Sequence, residues 1–541
     1  MIIRRQFEKQ FVEADEFDAI ALCYLEIALY HNIKNGDLKD YLRNRIKKEK
    51  NKQLIEDLDN FRINTIKYIQ QEEENLGEYS ILRCKMLQLL QNFPYSTKAK
   101  YNDVLGLCLI YLIEALDLYI KNNLNEMNSF FDSYYQTYGP MNKKNRSKCL
   151  IYLKEQQSIF QNAYDEKEPN YRSVLSSTSF GDVFDTFQIV ETNCLIGGIP
   201  EITPIRLNEQ LKQSLDNKIR IALIPFIGFD TFYFQEMNAA NYCELQSYPK
   251  DVFYINYHKS FDENNIKLVI NLLDSAINND ANIIIFPEYV MSKLMRTTIA
   301  KHLQEIKCQK LITVFAGTTY EMSRKESGNN VLHILNGRGA EVGCYYKYSF
   351  FNKKKHNTAH SINKPVASSE EQSLFYNAEL ISNPGKKCCL IDIEIIGRIL
   401  PSICRDIVDG VYSSELVRIF CPSYVIIPAW STSVASFNTF IRHYANTAHA
   451  VSFLCNCCNA VGYGKRGGGK NFGSNNVICS WCAPKKEGSI MNATVESFSR
   501  TSLCSQSCND GQGCIFCVDI DFSGKIPLFT SFPVIFPEKK E

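Results

Sequence analysis

Along the first third of the chain apolar residues recur at helical spacing; along the rest they gather in short unbroken runs. Segment 13–32 carries Phe17, Ile20, Ala21, Tyr24, Ile27 and Ala28, the repeat of one helix face. Asn35-Gly36-Asp37 supplies a stop and a new N-cap. Residues 38–75 are highly charged, with a thin apolar stripe of Leu54, Leu58, Phe61 and Ile69. Segments 79–93 and 102–125 are more apolar, and breaks fall at Phe93-Pro94 and Gly139-Pro140. The pattern predicts an all-α N-terminal domain over 1–175, suited to docking or packing, and a linker over 176–214.

From residue 215 the texture changes to strands alternating with helices. Strands are predicted at 220–227, 282–286, 311–316, 331–335, 341–346, 387–393, 395–400, 423–428, 451–458, 475–480 and 514–520, and a helix at 264–278. Asn336-Gly337-Arg338-Gly339 is a hairpin signal between two of the strands. Alternation of this kind predicts an α/β domain over 215–541.

The composition narrows the function classes. The chain has 541 residues, 60 Lys+Arg against 59 Asp+Glu, and 45% apolar residues. A net charge of +1 gives no global field for nucleic acid, and the apolar content excludes a disordered or collagen-like chain. The most apolar stretch, Val104 to Ile120, carries Glu114 and Asp117 and reads as a buried helix instead of a membrane span. The opening MIIRRQFEKQFVEADEF has no apolar signal core, so a cytoplasmic location is expected. The 21 cysteines are then expected to be reduced thiols, most of them buried as small apolar groups.

Three reactive side chains each follow a predicted strand. Glu288 follows NIIIFP, Lys347 follows Cys344-Tyr345-Tyr346, and Cys404 follows Gly397–Ile403. Strand ends are where open α/β sheets build their sites. A carboxylate, an ammonium and a thiol suit attack by sulfur on a carbon bonded to nitrogen. A nearby Lys lowers the thiol pKa, and a Glu takes its proton.

In this order the motifs resemble the carbon–nitrogen hydrolase, or nitrilase, superfamily over residues 217–525. Asn264–Glu288 is similar to the unit ending in that family's catalytic Glu, and Val314–Thr318 followed by Asn329–Val331 and Gly343–Lys347 to the stretch ending in its catalytic Lys. Gly397–Asp406 (GRILPSICRD) resembles the nucleophile strand and elbow; Val425–Ser431, Asn459–Gly462, Phe472–Ser474 and Val518–Asp521 follow as later landmarks. The resemblance implies a four-layer α-β-β-α sandwich. It makes Glu288 the general base, Lys347 the oxyanion stabiliser, Cys404 the nucleophile and the backbone N–H of Arg405 part of the oxyanion hole. A second Glu before a Pro-Gly turn would be Glu379, ahead of Pro384-Gly385, with Glu371 and Glu370 as alternatives. The substrate class is a small-molecule amide or nitrile, no cofactor is required, and homo-oligomers built on dimers are expected.

The sequence departs from that pattern in places. Ile407–Glu415 (IVDGVYSSE) replaces the family's Phe-Pro-Glu, and neither Arg442–Asn446 nor Thr447–Val451 supplies the Glu of its Arg-Ala-x-Glu-Asn pattern. The Lys347-to-Cys404 segment is enlarged and contains NKKKH at 352–356. Other readings compete. Cys404 could pair with His443 or His449 as in a Cys–His protease; Cys479/Cys482, Cys504/Cys508 and Cys514/Cys517 have ligand-like spacings for zinc; Gly464–Asn471 nearly matches a phosphate loop. Acyl transfer is an alternative within the same chemistry. An assembly or sensing module of a bacterial antiviral system is an alternative in a different class, with the helical region binding a protein or nucleic acid.

Overall fold

The computed structural model describes, with gaps, residues 201–534, and before them only residues 60, 63, 149–153 and 187–191. By its internal contacts the chain divides into two units, Met1–Glu155 with Lys167–Leu195, and Gln156–Glu166 with Ile196–Glu541. In the first, Cys149–Leu153 pairs antiparallel with Phe187–Glu191. The former falls inside the stretch read as helical and the latter inside the stretch read as linker; both are strands because each segment finds the other's backbone groups. The rest of the all-α reading lies outside the described residues.

The second unit runs in chain order through β1 (Glu201–Ile205), α1 (Glu209–Ser214), β2 (Lys218–Leu223), β3 (Phe232–Asn238), β4 (Asp251–Tyr257), α2 (Phe261–Asn278), β5 (Ile283–Ile285) and α3 (Lys293–Ile306). It continues with β6 (Thr313–Met322), β7 (Gly328–Asn336), β8 (Glu341–Tyr346), β9 (Asn352–Lys354), β10 (Tyr376–Glu379), β11 (Cys389–Ile393), β12 (Gly397–Pro401) and α4 (Arg405–Val408). The last elements used below are β13 (Tyr424–Ala429), α5 (Ala435–Thr447), β14 (Val451–Asn456), β15 (Val477–Cys482), β16 (Val495–Ser499), β17 (Ile515–Asp521) and β18 (Leu528–Val534).

Two seven-stranded sheets form the body, ordered β8-β7-β6-β5-β2-β17-β18 and β16-β15-β14-β13-β12-β11-β1. At the centre of the first, β2, β5 and β6 are parallel, and at the centre of the second β12, β13 and β14 are parallel. These central strands read as unbroken apolar runs because both faces are covered. On one face of the first sheet, Ala222, Ile284 and Val314 join a core with Val269, Leu272 and Leu273 of α2 and Met295, Ile299 and Leu303 of α3. On the other face the sheets meet: the Cys455 thiol of β14 donates to the Ile285 carbonyl of β5, and Phe498 of β16 stacks on Phe516 of β17 at 4.8 Å between ring centroids. α5 covers the far side of the second sheet, where Asn438 bonds Ser480 of β15 at 3.0 Å. Layered mixed α/β architecture is therefore present. Fully burying each large apolar side chain of this kind contributes about 1.5–3 kcal/mol, and Ile221, Ile283, Ile285, Phe315 and Ile334 are all fully buried.

A third, four-stranded sheet, β9-β10-β4-β3, adds to the two. The enlarged segment between Lys347 and Cys404 supplies β9 and β10. Its strand β10 runs parallel to β4, with Glu379 opposite Phe253.

Candidate active site

The site lies at the C-terminal ends of the central parallel strands. β5 ends at Ile285, and the chain turns through Phe286-Pro287 to Glu288. The turn is clamped by the neighbouring strand β6. Gly317 has φ +73°, and a Cβ there would sit 2.7 Å from the Pro287 carbonyl oxygen, so the close approach requires glycine. Thr318 N–H donates to that same oxygen at 3.2 Å, and the Thr318 Oγ1 accepts from the Tyr289 N–H at 2.9 Å.

β12 ends in a tight elbow at Cys404. Cys404 sits in the left-handed region at φ +46°, and α4 starts at Arg405. The end of β13 ties elbow and turn together: Pro428 O accepts from Cys404 N at 2.9 Å, and Ala429 O accepts from Glu288 N at 3.4 Å. Trp430 follows directly; its N–H donates to Glu288 Oε2 at 2.9 Å, and its carbonyl lies 3.8 Å from the Cys404 sulfur. Lys347 extends the line of β8, its N–H donating to Asn330 O at 3.0 Å.

The side chains converge in the interior. Glu288, Lys347 and Glu379 are fully buried and Cys404 is 4% exposed. Lys347 Nζ donates to Glu288 Oε1 and to Glu379 Oε2, both at 2.7 Å. Cys404 lies close enough to Glu288 and Lys347 for each to act on its thiol. Asn330 Nδ2 donates to Glu288 Oε1 at 2.8 Å and to Glu379 Oε1 at 3.1 Å, and the Tyr289 hydroxyl donates to Glu379 Oε1. Thus Glu288, Lys347, Cys404 and Glu379 stand together. Glu370 and Glu371 lie outside the described residues. Arg405 contributes no buried side chain, and its N–H occupies the first position of α4, where no intrahelical acceptor is available.

Electrostatics set the resting state. Two buried carboxylates face one ammonium, so the cluster carries one excess negative charge when both are ionised. Burial raises the Glu288 carboxyl above its ordinary value; Lys347 lowers it and Glu379 raises it again. Burial alone would lower the Lys347 ammonium, but the charges of Glu288 and Glu379 outweigh it and hold the amine protonated. The Cys404 thiol is pushed well above its ordinary value, first by burial and then by the Glu288 charge, with Lys347 acting the other way. Lys347 acts in the expected direction, and burial with the adjacent carboxylate outweighs it. Burial and the carboxylate thus favour the protonated form of the sulfur.

Asp406 braces the site from behind. Its carboxylate accepts from the N–H groups of Tyr348 and Ser349, the latter at 2.5 Å, and from the Tyr345 hydroxyl at 3.1 Å. It thereby ties the elbow to the segment that follows Lys347. Burial pushes it up to about 7.

Of the competing readings, His443 of α5 lies beside the ring of Tyr444, and the groups acting on the Cys404 thiol are Glu288, Lys347 and the Trp430 carbonyl. Gly464–Asn471, Cys504 and Cys508 lie outside the described residues. Among the described residues no group of three or more His, Cys, Asp or Glu could hold a metal ion, and no helix is long and apolar enough to cross a membrane. Sequence reasoning did not single out Asn330, Tyr289, Trp430 or Asp406. Tyr289 adjoins Glu288, and Asp406 lies two residues beyond Cys404, so proximity was their signal; Asn330 and Trp430 had only their places in the landmark stretches.

The sequence matches no protein-family model and no curated protein. Solved structures similar to it include members of the nitrilase superfamily and glutamine-dependent NAD+ synthetases. Saccharomyces cerevisiae Nit3, a member of branch 10 of the nitrilase superfamily, aligns at 13% identity and a TM-score of 0.30, over 54% of this chain and 97% of its own. The NitN amidase from Nesterenkonia sp. AN1 aligns at 11% identity and a TM-score of 0.30, over 59% of this chain and 93% of its own. A glutamine-dependent NAD+ synthetase from Acinetobacter baumannii aligns at 13% identity and a TM-score of 0.29, over 57% of this chain; the match spans 47% of that protein.

Proposed function

We propose that the second unit is a thiol-dependent hydrolase of a carbon–nitrogen bond, in an amide or nitrile, working through a thioester on Cys404. The observation that carries this reading is the buried Cys404 thiol under the influence of Glu288, whose carboxylate is held 2.7 Å from the Lys347 ammonium. For an amide, the Cys404 sulfur attacks the carbonyl carbon while its proton passes to Glu288. The carbonyl oxygen takes the electron pair and is stabilised by Lys347 and the Arg405 N–H. The intermediate collapses as Glu288 gives its proton to the leaving nitrogen, and the thioester remains. Glu288 then takes a proton from water, the resulting hydroxide attacks the thioester, and the sulfur leaves to be reprotonated. Lys347 stays cationic throughout, since the carboxylates hold its proton. Asn330 Oδ1 and Ser349 Oγ, both buried without a hydrogen-bond partner, offer polar contacts to an amide group.

The test is release of amine or ammonia from a panel of primary amides, secondary amides and nitriles. Wild type is expected to turn over at least one class, and Cys404→Ala to lose turnover by about 10⁴-fold or more while keeping its circular dichroism. Turnover that survives Cys404→Ala contradicts the proposal. Product analysis with and without an added amine separates hydrolysis from acyl transfer.

A further inference from the structure

The oxyanion contacts of the proposed reaction come from two separate stretches of chain. Lys347 follows β8, and the Arg405 N–H belongs to the elbow after β12. Two sets of bonds act on the first stretch. At its side-chain end, Lys347 Nζ donates to Glu288 Oε1 and Glu379 Oε2, both at 2.7 Å. At its backbone end, the Lys347 N–H donates to Asn330 O at 3.0 Å, just past Tyr346, the last paired residue of β8. The next two N–H groups turn to Asp406. Tyr348 N–H donates to its Oδ1 at 3.1 Å and its Oδ2 at 3.2 Å, and Ser349 N–H donates to Oδ1 at 2.5 Å.

Asp406 belongs to the elbow. It is the second residue of α4, beside Arg405, and its own N–H donates to Ile403 O at 2.9 Å. Its carbonyl accepts from the Ser413 hydroxyl. The side chain is fully buried, and the Tyr345 hydroxyl donates to Oδ2 at 3.1 Å. A carboxylate held in the interior is costly unless donors fill its lone pairs, and here two backbone N–H groups and a phenol do so. Lys347 is the cation whose charge acts on it. Burial pushes the carboxyl up to about 7, so above neutral pH it is ionised and only accepts.

We infer that Asp406 is a positioning residue that fixes Lys347 relative to the elbow, and so sets the spacing between the ammonium and the Arg405 N–H. The inference rests on the thioester mechanism proposed above. The bonds to Glu288 and Glu379 locate the ammonium among the carboxylates. The Asp406 bonds locate the same stretch of chain against Cys404 and Arg405. Donors that stabilise developing charge work only when they are already aimed at the place where it develops. Loss of the Asp406 carboxylate is therefore felt at an oxygen that takes up charge, and much less at the sulfur.

Two thiol probes separate these demands. An aldehyde is attacked at its carbonyl carbon: the sulfur–carbon bond forms, the thiol proton passes to Glu288, and the π pair becomes charge on the oxygen, with no group leaving. Iodoacetamide is attacked at its methylene carbon and iodide leaves, so no oxyanion forms. The experiment measures protection of Cys404 from iodoacetamide by acetaldehyde and by butyraldehyde at pH 8.5, followed by peptide mass, in the full chain as wild type, Asp406→Asn and Tyr345→Phe. Wild type is expected to be protected. Asp406→Asn is expected to need about tenfold more aldehyde for half-protection, a fraction of the loss from removing a whole oxyanion donor, while its alkylation rate without aldehyde changes by less than about threefold. Tyr345→Phe keeps the ring and removes one bond to Asp406; it is expected to shift half-protection the same way by about threefold, and it decides the matter if Asp406→Asn does not fold. Half-protection unchanged in both variants, or protection and alkylation lowered by the same factor, overturns the positioning role. A wild-type Cys404 that neither aldehyde protects overturns the thiol–oxyanion reading itself, and the inference with it.

Discussion

Among the described residues of the second unit, two enclosed ionic clusters are built differently. At the β11–β12 hairpin, Arg398 meets Asp392 through two bonds of 2.6 Å, and its remaining nitrogen reaches the Phe420 carbonyl at 3.4 Å. One cation faces one anion, and nothing there needs a proton. At the strand ends, Lys347 faces both Glu288 and Glu379, with the Cys404 thiol close by. Here the charges do not balance, so a proton has a low-cost destination beside a thiol. Burial is common to both clusters. Imbalance is what distinguishes a site from a brace.

The comparison can be broken most forcefully by removing the cations. Lys347→Met leaves two carboxylates face to face and is expected to cost about 3–5 kcal/mol of stability at pH 8. Lowering the pH should recover part of it, because either carboxylate can then take a proton. At the other cluster, Arg398→Met together with Asp392→Leu is expected to be near neutral, because a balanced buried pair can be replaced by apolar packing. Urea unfolding of both variants decides the matter; similar large losses in both would erase the distinction.

A second test concerns Asp406, whose folded-state value stands near 7 against an ordinary 3.8. A raised carboxyl binds its proton more tightly folded than unfolded. Its stabilising contribution is therefore present at acid pH and is lost as pH rises from about 4 to 7. The stability of wild type relative to Asp406→Asn should fall by about 4 kcal/mol across that window, by the linkage of about 1.4 kcal/mol per unit. A difference independent of pH would contradict it. The smallest effect is expected at the surface, where Lys310 meets Asp280 at 2.7 Å with both side chains about half exposed. Lys310→Ala should change stability by less than about 0.5 kcal/mol, since solvent screens such a pair; a loss above 1 kcal/mol would show that exposure does not discount ion pairs here.

The sequence carried much of this architecture where a single physical demand dominates. Strands β5, β6, β12, β13 and β14 were legible because burial on both faces forces unbroken apolar runs. The Asn336–Gly339 hairpin was legible because Gly337 cannot accept a Cβ, which would lie 1.8 Å from the Leu311 carbonyl oxygen. Helix α3 was not, since it buries only Met295, Ile299 and Leu303 among lysines, threonines and glutamine. Nor was the third sheet, where buried Phe253 and Ile255 of β4 alternate with half-exposed Tyr254. In the site, Glu288, Lys347 and Cys404 stood out because each reactive group closes a strand. Glu379 was found only through the Pro-Gly turn after it. Asn330 and Trp430 act through contacts between distant strand ends, and no local pattern encodes such contacts. Lys347 acts on the thiol in the direction expected from the sequence, but burial outweighs it, and charge neighbours can be read from a motif more readily than burial can.

The central claim is that Glu288 makes a buried thiol the reactive one. Brief exposure to limiting iodoacetamide at neutral pH, followed by peptide mapping, tests it most directly. Among the described residues Cys308, Cys344 and Cys514 are partly exposed, and Cys404 is buried. Labelling is expected at Cys404 first, and that preference is expected to vanish in Glu288→Gln. Labelling that simply follows exposure, with Cys404 last and Glu288→Gln without effect, would contradict the account.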